Sequence, residues 1–295
     1  MATRYWTNGA GTGVVSTASN WSPSGAPSAG DTLIFASSPT GATSTAVVGG
    51  DYSALGDMAE VRIGSDFTAA FGSSSAYVQI LSSATVLEAT GNVFIDIEGA
   101  VSGDTVTINN TNVGPDAIHL RGDMDIVRIL NSAGDISIEA TTANSTSSGY
   151  TEVNNLYVFT PSRGKISTET NVSDMDVLHI DSGVYAGSCA AVKVLVYGGE
   201  FTQESTGTIT TLNVYGDQTT VLLNGSGTVT TLNQYAGTTT FQNNASDGLT
   251  VTNCTLYAGT IDLSPSMRNV TFTNDIINKG GAFIPPLAST VSVAY

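Results

Sequence analysis

The sequence predicts an all-β chain wound as a single-stranded, right-handed parallel β-helix: a solenoid of about 17–22 residues per coil with an aromatic N-terminal cap. Three observations carry this. Residues 207–216 read GTITTLNVYG, and residues 227–236 read GTVTTLNQYA, identical at seven of ten positions. A looser copy, LTVTNCTLYA, fills residues 249–258, and VKVLVYGG supplies an earlier one at residues 192–199. Second, only 12% of the residues are charged against 41% hydrophobic, and Thr, Ser, Asn and Gly replace the charged residues that build exposed helix faces. Third, both tryptophans, Trp6 and Trp21, and three of the eight prolines fall within the first 50 residues, which carry no such repeat.

The chain divides into a cap or attachment segment at 1–50, a β-helix at 51–285 and a short tail at 286–295. The first segment runs Arg4-Tyr5-Trp6, a Gly-rich loop, Asn20-Trp21, Pro27, then Asp31-Thr32-Leu33-Ile34-Phe35. An open solenoid end exposes strand edges and core, and a lid of aromatics over the first coil hides both. Trp6, Trp21 and Phe35 are therefore assigned to the cap core, with sugar stacking as the other use of two tryptophans.

Within 51–285 a second repeat appears. Asp57-Met58-Ala59-Glu60-Val61-Arg62-Ile63 returns as Asp123-Met124-Asp125-Ile126-Val127-Arg128-Ile129 and as Asp174-Met175-Asp176-Val177-Leu178-His179-Ile180. The separations, 66 and 51 residues, each approximate three coils. Its V-x-I strand aligns with L-N-V of the tyrosine repeat, so one strand position recurs along the chain. Pro285-Pro286 ends the strand pattern, since proline cannot donate to a ladder.

Strand alternation sets direction. Leu212 and Val214 share the inner face, as do Leu232 with Gln234 and Cys254 with Leu256. Gln234 is read as a structural polar group bonded to neighbouring backbone, and Cys254 as a buried thiol. Phe159, Tyr197, Tyr215, Tyr235 and Tyr257 then point outward, coil over coil. An outward aromatic stripe is read as a protein interface, with ladder stacking and carbohydrate stacking as its other uses. His179 shares the outward position of Arg62 and Arg128 and is read as a solvated surface residue.

The net charge is −16 with nine basic residues and no basic cluster, which argues against nucleic acid and anionic membranes as partners. No apolar run is long enough to span a bilayer, and no leader is expected. There is no GxGxxG, Walker or GxSxG motif. The two histidines, His119 and His179, lack metal spacing, so no metal, cofactor or catalytic set is assigned. The pairs Asp123/Asp125 and Asp174/Asp176 could share a face as glycosidase carboxylates do. They recur with the coil, however, and Asp57 stands alone, so they are read as corner residues bonding turn backbone. The Arg121-Gly122-Asp123 tripeptide is taken as chance.

The spacing Y-W … N-W-S … P-x-x-x-D-x-L-x-F over the first 35 residues resembles the opening segment of β-helical virion proteins of tailed bacteriophages. A similar W…NW…P…D…F unit occurs in β-helical passenger domains of bacterial autotransporters. The resemblance implies a non-enzymatic, acidic structural protein of the virion surface on the capsid exterior. Within that class the expectation is a capsid decoration (cement) protein, a homotrimer bound to the major capsid protein. A tail-associated adhesin for host glycans and a polysaccharide depolymerase on the same fold are the alternatives.

Overall fold

The structure is a computed structural model; it describes residues 1–35, 45–98, 104–115, 117–139, 152–159, 164–169, 172, 175–188, 190–204, 206–242, 248–266 and 270–286. The chain folds as a right-handed parallel β-helix of about 21 residues per coil. Among the described residues helical structure is confined to two 3₁₀ turns, Ala18–Asn20 and Ser53–Leu55. No helix among them is long and apolar enough to cross a membrane. Contacts group the chain into two units, Met1–Val153 with Ser162–Gly164, and Asn154–Pro161 with Lys165–Tyr295.

In the first unit, the strands Thr32–Phe35, Glu60–Ile63, Ala84–Leu87, Thr105–Asn110 and the latter part of Ile118–Ser132 stack in parallel. Register aligns Phe35, Ile63, Leu87, Ile108 and Ile129 in one inward row, and every member is fully buried. A second face aligns Val78, Ile95, Leu120 and Ile138. The parallel ladder thus starts inside the 1–50 segment, where Thr3–Trp6 already pairs parallel to Thr32–Phe35. Gly122 allows the second face to close. Its φ is +107°, and a Cβ there would lie 1.9 Å from the Ile97 carbonyl oxygen, so no other residue fits.

Over the first coil sits an aromatic lid. Thr3–Trp6 pairs parallel to Thr32–Phe35 and antiparallel to Trp21–Ser22. Trp6, Trp21 and Phe35 pack mutually with ring centroids 5.2–5.5 Å apart, and Phe35 meets Phe71 edge-on at 4.9 Å. The Trp21 indole donates to the Val15 carbonyl at 2.7 Å, so its one polar atom is satisfied inside the core. Buried Asn20 accepts from the Ala10 amide and donates to Thr12 Oγ1 and the Val14 carbonyl. Asp31, 2% exposed, takes Arg4 Nε at 2.6 Å and the amides of Ala2 and Ser28. Burial alone would raise its pKa. The Arg4 hydrogen bond, the two amides and the Arg4 charge outweigh that and bring it to about 2.

In the second unit, register aligns Leu156, Leu178, Val194, Leu212, Leu232, Cys254 and Ile276. A further face aligns Ile166, Tyr185, Phe201, Val221, Thr239, Ile261 and Phe283. The repeat strand is bent. In Thr208–Val214, Thr210 and Thr211 both face out between buried Ile209 and Leu212. The break in alternation turns the strand, so its first half lines a third side with Ala191, Val229, Val251 and Phe272. Gln234 is fully buried; it donates to the Ala236 carbonyl and accepts from Thr239 Oγ1, both at 2.5 Å. Cys254 is buried, and the apolar surroundings push its thiol up to about 12. Cys189 lies outside the described residues.

Candidate interaction surface

Tyr197, Tyr215, Tyr235 and Tyr257 each follow the last inward residue of their strand. Their amides donate at 2.8 Å to the coil below, to the carbonyls of Ile180, Val196, Val214 and Gln234. That ladder holds the Cα atoms one strand spacing apart, and the rings follow. Tyr197–Tyr215, Tyr215–Tyr235 and Tyr235–Tyr257 stack with centroids 4.7, 4.9 and 4.6 Å apart and planes within 15°. Lys279 Nζ closes one end, 4.6 Å from the Tyr257 ring centre.

The other end is built differently. His179 stacks on Tyr197 at 4.9 Å, and Tyr157 and Phe159 both lie against His179. The reading of His179 as a solvated residue is therefore corrected: it is a member of the aromatic ladder. Burial lowers its pKa, against a smaller opposing pull from Asp181, which favours the neutral imidazole. Tyr157 was not singled out in the sequence either, because it precedes the expected aromatic position by two residues.

Stacking decides what the stripe can offer. Both faces of Tyr215 and Tyr235 are covered by neighbouring rings, so a pyranose has no free ring face to lie on there. Ring edges and hydroxyls remain. Phe159, Tyr197, Tyr235 and Tyr257 are 36–42% exposed, and Tyr215 is half-buried. The hydroxyl row is flanked by an asparagine pair, with Asn233 Nδ2 donating to Asn213 Oδ1 at 2.9 Å. The Tyr215 hydroxyl holds its proton more tightly than usual, through burial first and its two tyrosine neighbours second. The result is a straight, neutral row of phenol edges on a rigid backbone.

The first unit carries a polar network that sequence reasoning missed. Glu139 accepts from Arg121 Nη2 at 2.8 Å, from the Tyr77 hydroxyl and from His119 Nδ1. Arg121 lies 3.7 Å over the Tyr77 ring, and Phe94 stacks on His119 at 4.3 Å. Burial would raise the Glu139 pKa, but the His119 and Tyr77 hydrogen bonds, with electrostatic attraction to His119 and Arg121, bring it to about 2. His119 and Arg121 alternate on one strand, whereas Tyr77 and Glu139 arrive from other coils, so only the three-dimensional register brings them together. Arg121 is drawn into this network and is not presented as part of an exposed loop.

The carboxylate pairs are placed as follows. Asp123 and Asp125 share the outward side of Ile118–Ser132, half-buried and both partnered. Asp57 accepts from the Ser83 hydroxyl at 2.9 Å. Asp176 is exposed, and Asp174 lies outside the described residues. Among the described residues no three His, Cys, Asp or Glu side chains converge as a metal site. No protein-family model, curated protein or solved structure matches the chain.

Proposed function

We propose that this chain is a non-enzymatic structural protein of a phage virion, acting as a decoration protein on the capsid exterior. The observation that carries the proposal is the tyrosine ladder. Its rings are immobilised by one another, its ring faces are used up internally, and its edges form a straight neutral row. Tyrosine edges and hydroxyls give large contact area at little conformational cost, which suits a protein surface better than a sugar ring. The β-helix supplies the rigidity such a brace requires, and the aromatic lid keeps the first coil from pairing with stray strands. Docking along the ladder would add buried area on the capsid; about 1,600 Å² makes a stable contact.

The test uses virions of the phage that encodes the chain. Immunogold labelling is expected on the head. Particles lacking the protein are expected to release DNA at lower temperature, with rescue by added protein but not by a Tyr215→Ala/Tyr235→Ala variant. Label confined to the tail, or unchanged capsid stability, would overturn the proposal. Tail label with glycan binding would favour the adhesin instead, and release of reducing ends from host polysaccharide would favour the depolymerase.

A further inference from the structure

The side of the second unit that precedes the strand bend carries one motif four times. Thr208-Ile209-Thr210 recurs as Thr-x-Thr at residues 228–230, 250–252 and 271–273. The middle residue of each copy, Ile209, Val229, Val251 or Phe272, is buried, so both flanking threonines point outward. All eight are partly or fully exposed. Register pairs the first threonines of the four copies in one row without a shift, and the second threonines form a row beside it.

We infer that this two-by-four threonine array is an ice-binding surface. Its spacing is that of the backbone: about 4.8 Å between coils along a row, and about 6.7 Å between residues i and i+2 across the rows. Oxygen atoms on the prism face of hexagonal ice repeat on a rectangle of closely similar sides. A threonine at each point offers a methyl group, around which water orders, and a hydroxyl, which bonds into that order. Its branched β-carbon restricts χ1, so the hydroxyls hold their places.

Two further observations point to a crystal lattice as the occupant. The strands Thr208–Val214, Thr228–Gln234, Leu249–Leu256 and Val270–Phe272 contain no charged residue, in a chain of net charge −16. A charge would impose its own hydration shell and break an ice-like layer. The solenoid itself does not demand uniform outward threonines. In the first unit one outward row reads Ile34, Arg62, Val86, Thr107 and Arg128 in successive coils. A protein or glycan partner has no need of the same side chain at every point of a two-dimensional grid, whereas a periodic solid does.

The experiment measures the full chain in a nanolitre osmometer, reading thermal hysteresis and the shape of a single ice crystal held in the gap, together with uptake of protein into a slowly growing ice hemisphere. Faceted crystals, a measurable hysteresis gap and enrichment in the ice are expected. Thr230→Lys, in the middle of the array, is expected to remove most of the gap and the enrichment. Thr240→Lys, outward on a different side of the coil, is expected to leave both unchanged. Thr230→Val keeps the shape and loses one hydroxyl, and should retain part of the gap. Circular dichroism of each variant must match wild type, which separates a lost surface from a lost fold. Folded wild-type protein that neither shapes ice nor enters it would overturn the inference. So would equal loss in Thr230→Lys and Thr240→Lys. Silence on ice with self-association that Thr230→Lys abolishes would overturn it in favour of a second copy as the occupant. None of these readouts involves a virion, so this surface and the decoration role can fail independently.

Discussion

Tyr215 and Tyr235 lie ring on ring, with centroids 4.9 Å apart and planes 8° apart. Residues 20 apart in the chain meet because Val214 and Gln234, which immediately precede them, are in register. The same contact fixes the ladder and removes its ring faces from use.

Tyr235→Ala removes two stacking contacts and is expected to cost about 1–3 kcal/mol in denaturant unfolding. Tyr235→Phe keeps the rings and should stay within about 0.5 kcal/mol of wild type. If the phenol edge is what docks, Tyr235→Phe will still weaken attachment to particles. Equal attachment by both Tyr235→Phe and wild type would move the docking energy from the hydroxyl to the ring edge.

Acid should unfold the first unit through buried Asp31 and half-buried Glu139. Asp31 and Glu139 are both brought to about 2, from ordinary values of 3.8 and 4.5. A depressed folded-state pKa gives stability that is complete above the unfolded value and lost as pH falls through the folded one. Stability is therefore expected to be flat from neutral pH to about 5 and to fall between about 4.5 and 2. Glu139→Gln should lower stability at pH 7 and shallow that acid slope, which unfolding curves at successive pH values would record. An unchanged slope would remove Glu139 from the acid response.

Much of this fold was legible because a solenoid repeats its own evidence. Leu212-Asn213-Val214-Tyr215 declares a strand, its inner face and its period, and its neighbours repeat the statement. Two things were not legible. The bend at Thr210 and Thr211 looks like one more alternating pair until the register shows both residues facing out. The His119–Glu139–Tyr77–Arg121 network joins coils that carry no shared motif. His179 was misread for a related reason: alternation gives the side of a sheet, but whether an outward imidazole meets water or Tyr197 depends on the ring one coil later.

Gly122→Ala tests the closure of the first unit. The added methyl meets the Ile97 carbonyl oxygen at 1.9 Å, and the +107° φ is unfavourable for any L side chain. Strain of about 1–3 kcal/mol from the backbone alone, plus the clash, is expected. Differential scanning calorimetry should show a lower unfolding temperature than for Gly114→Ala, where the nearest atom is a side-chain oxygen at 3.3 Å. Equal effects at the two positions would contradict the assigned register of Ile118–Ser132.

Cys254 sits in the inward row between Leu232 and Ile276, and its thiol is pushed up to about 12. Thiolate, not thiol, is the reactive form, so both low ionisation and burial protect it. Under native conditions at pH 8, iodoacetamide should leave the Cys254 peptide unmodified, as read by mass spectrometry, and in denaturant it should alkylate fully. Cys254→Ala removes one sulfur from a close-packed row and is expected to cost about 1 kcal/mol, whereas Cys254→Asp would bury a charge without a partner and should abolish folding of the repeat. Rapid native alkylation of Cys254 would mean that the coils around it open far more often than a sealed core allows.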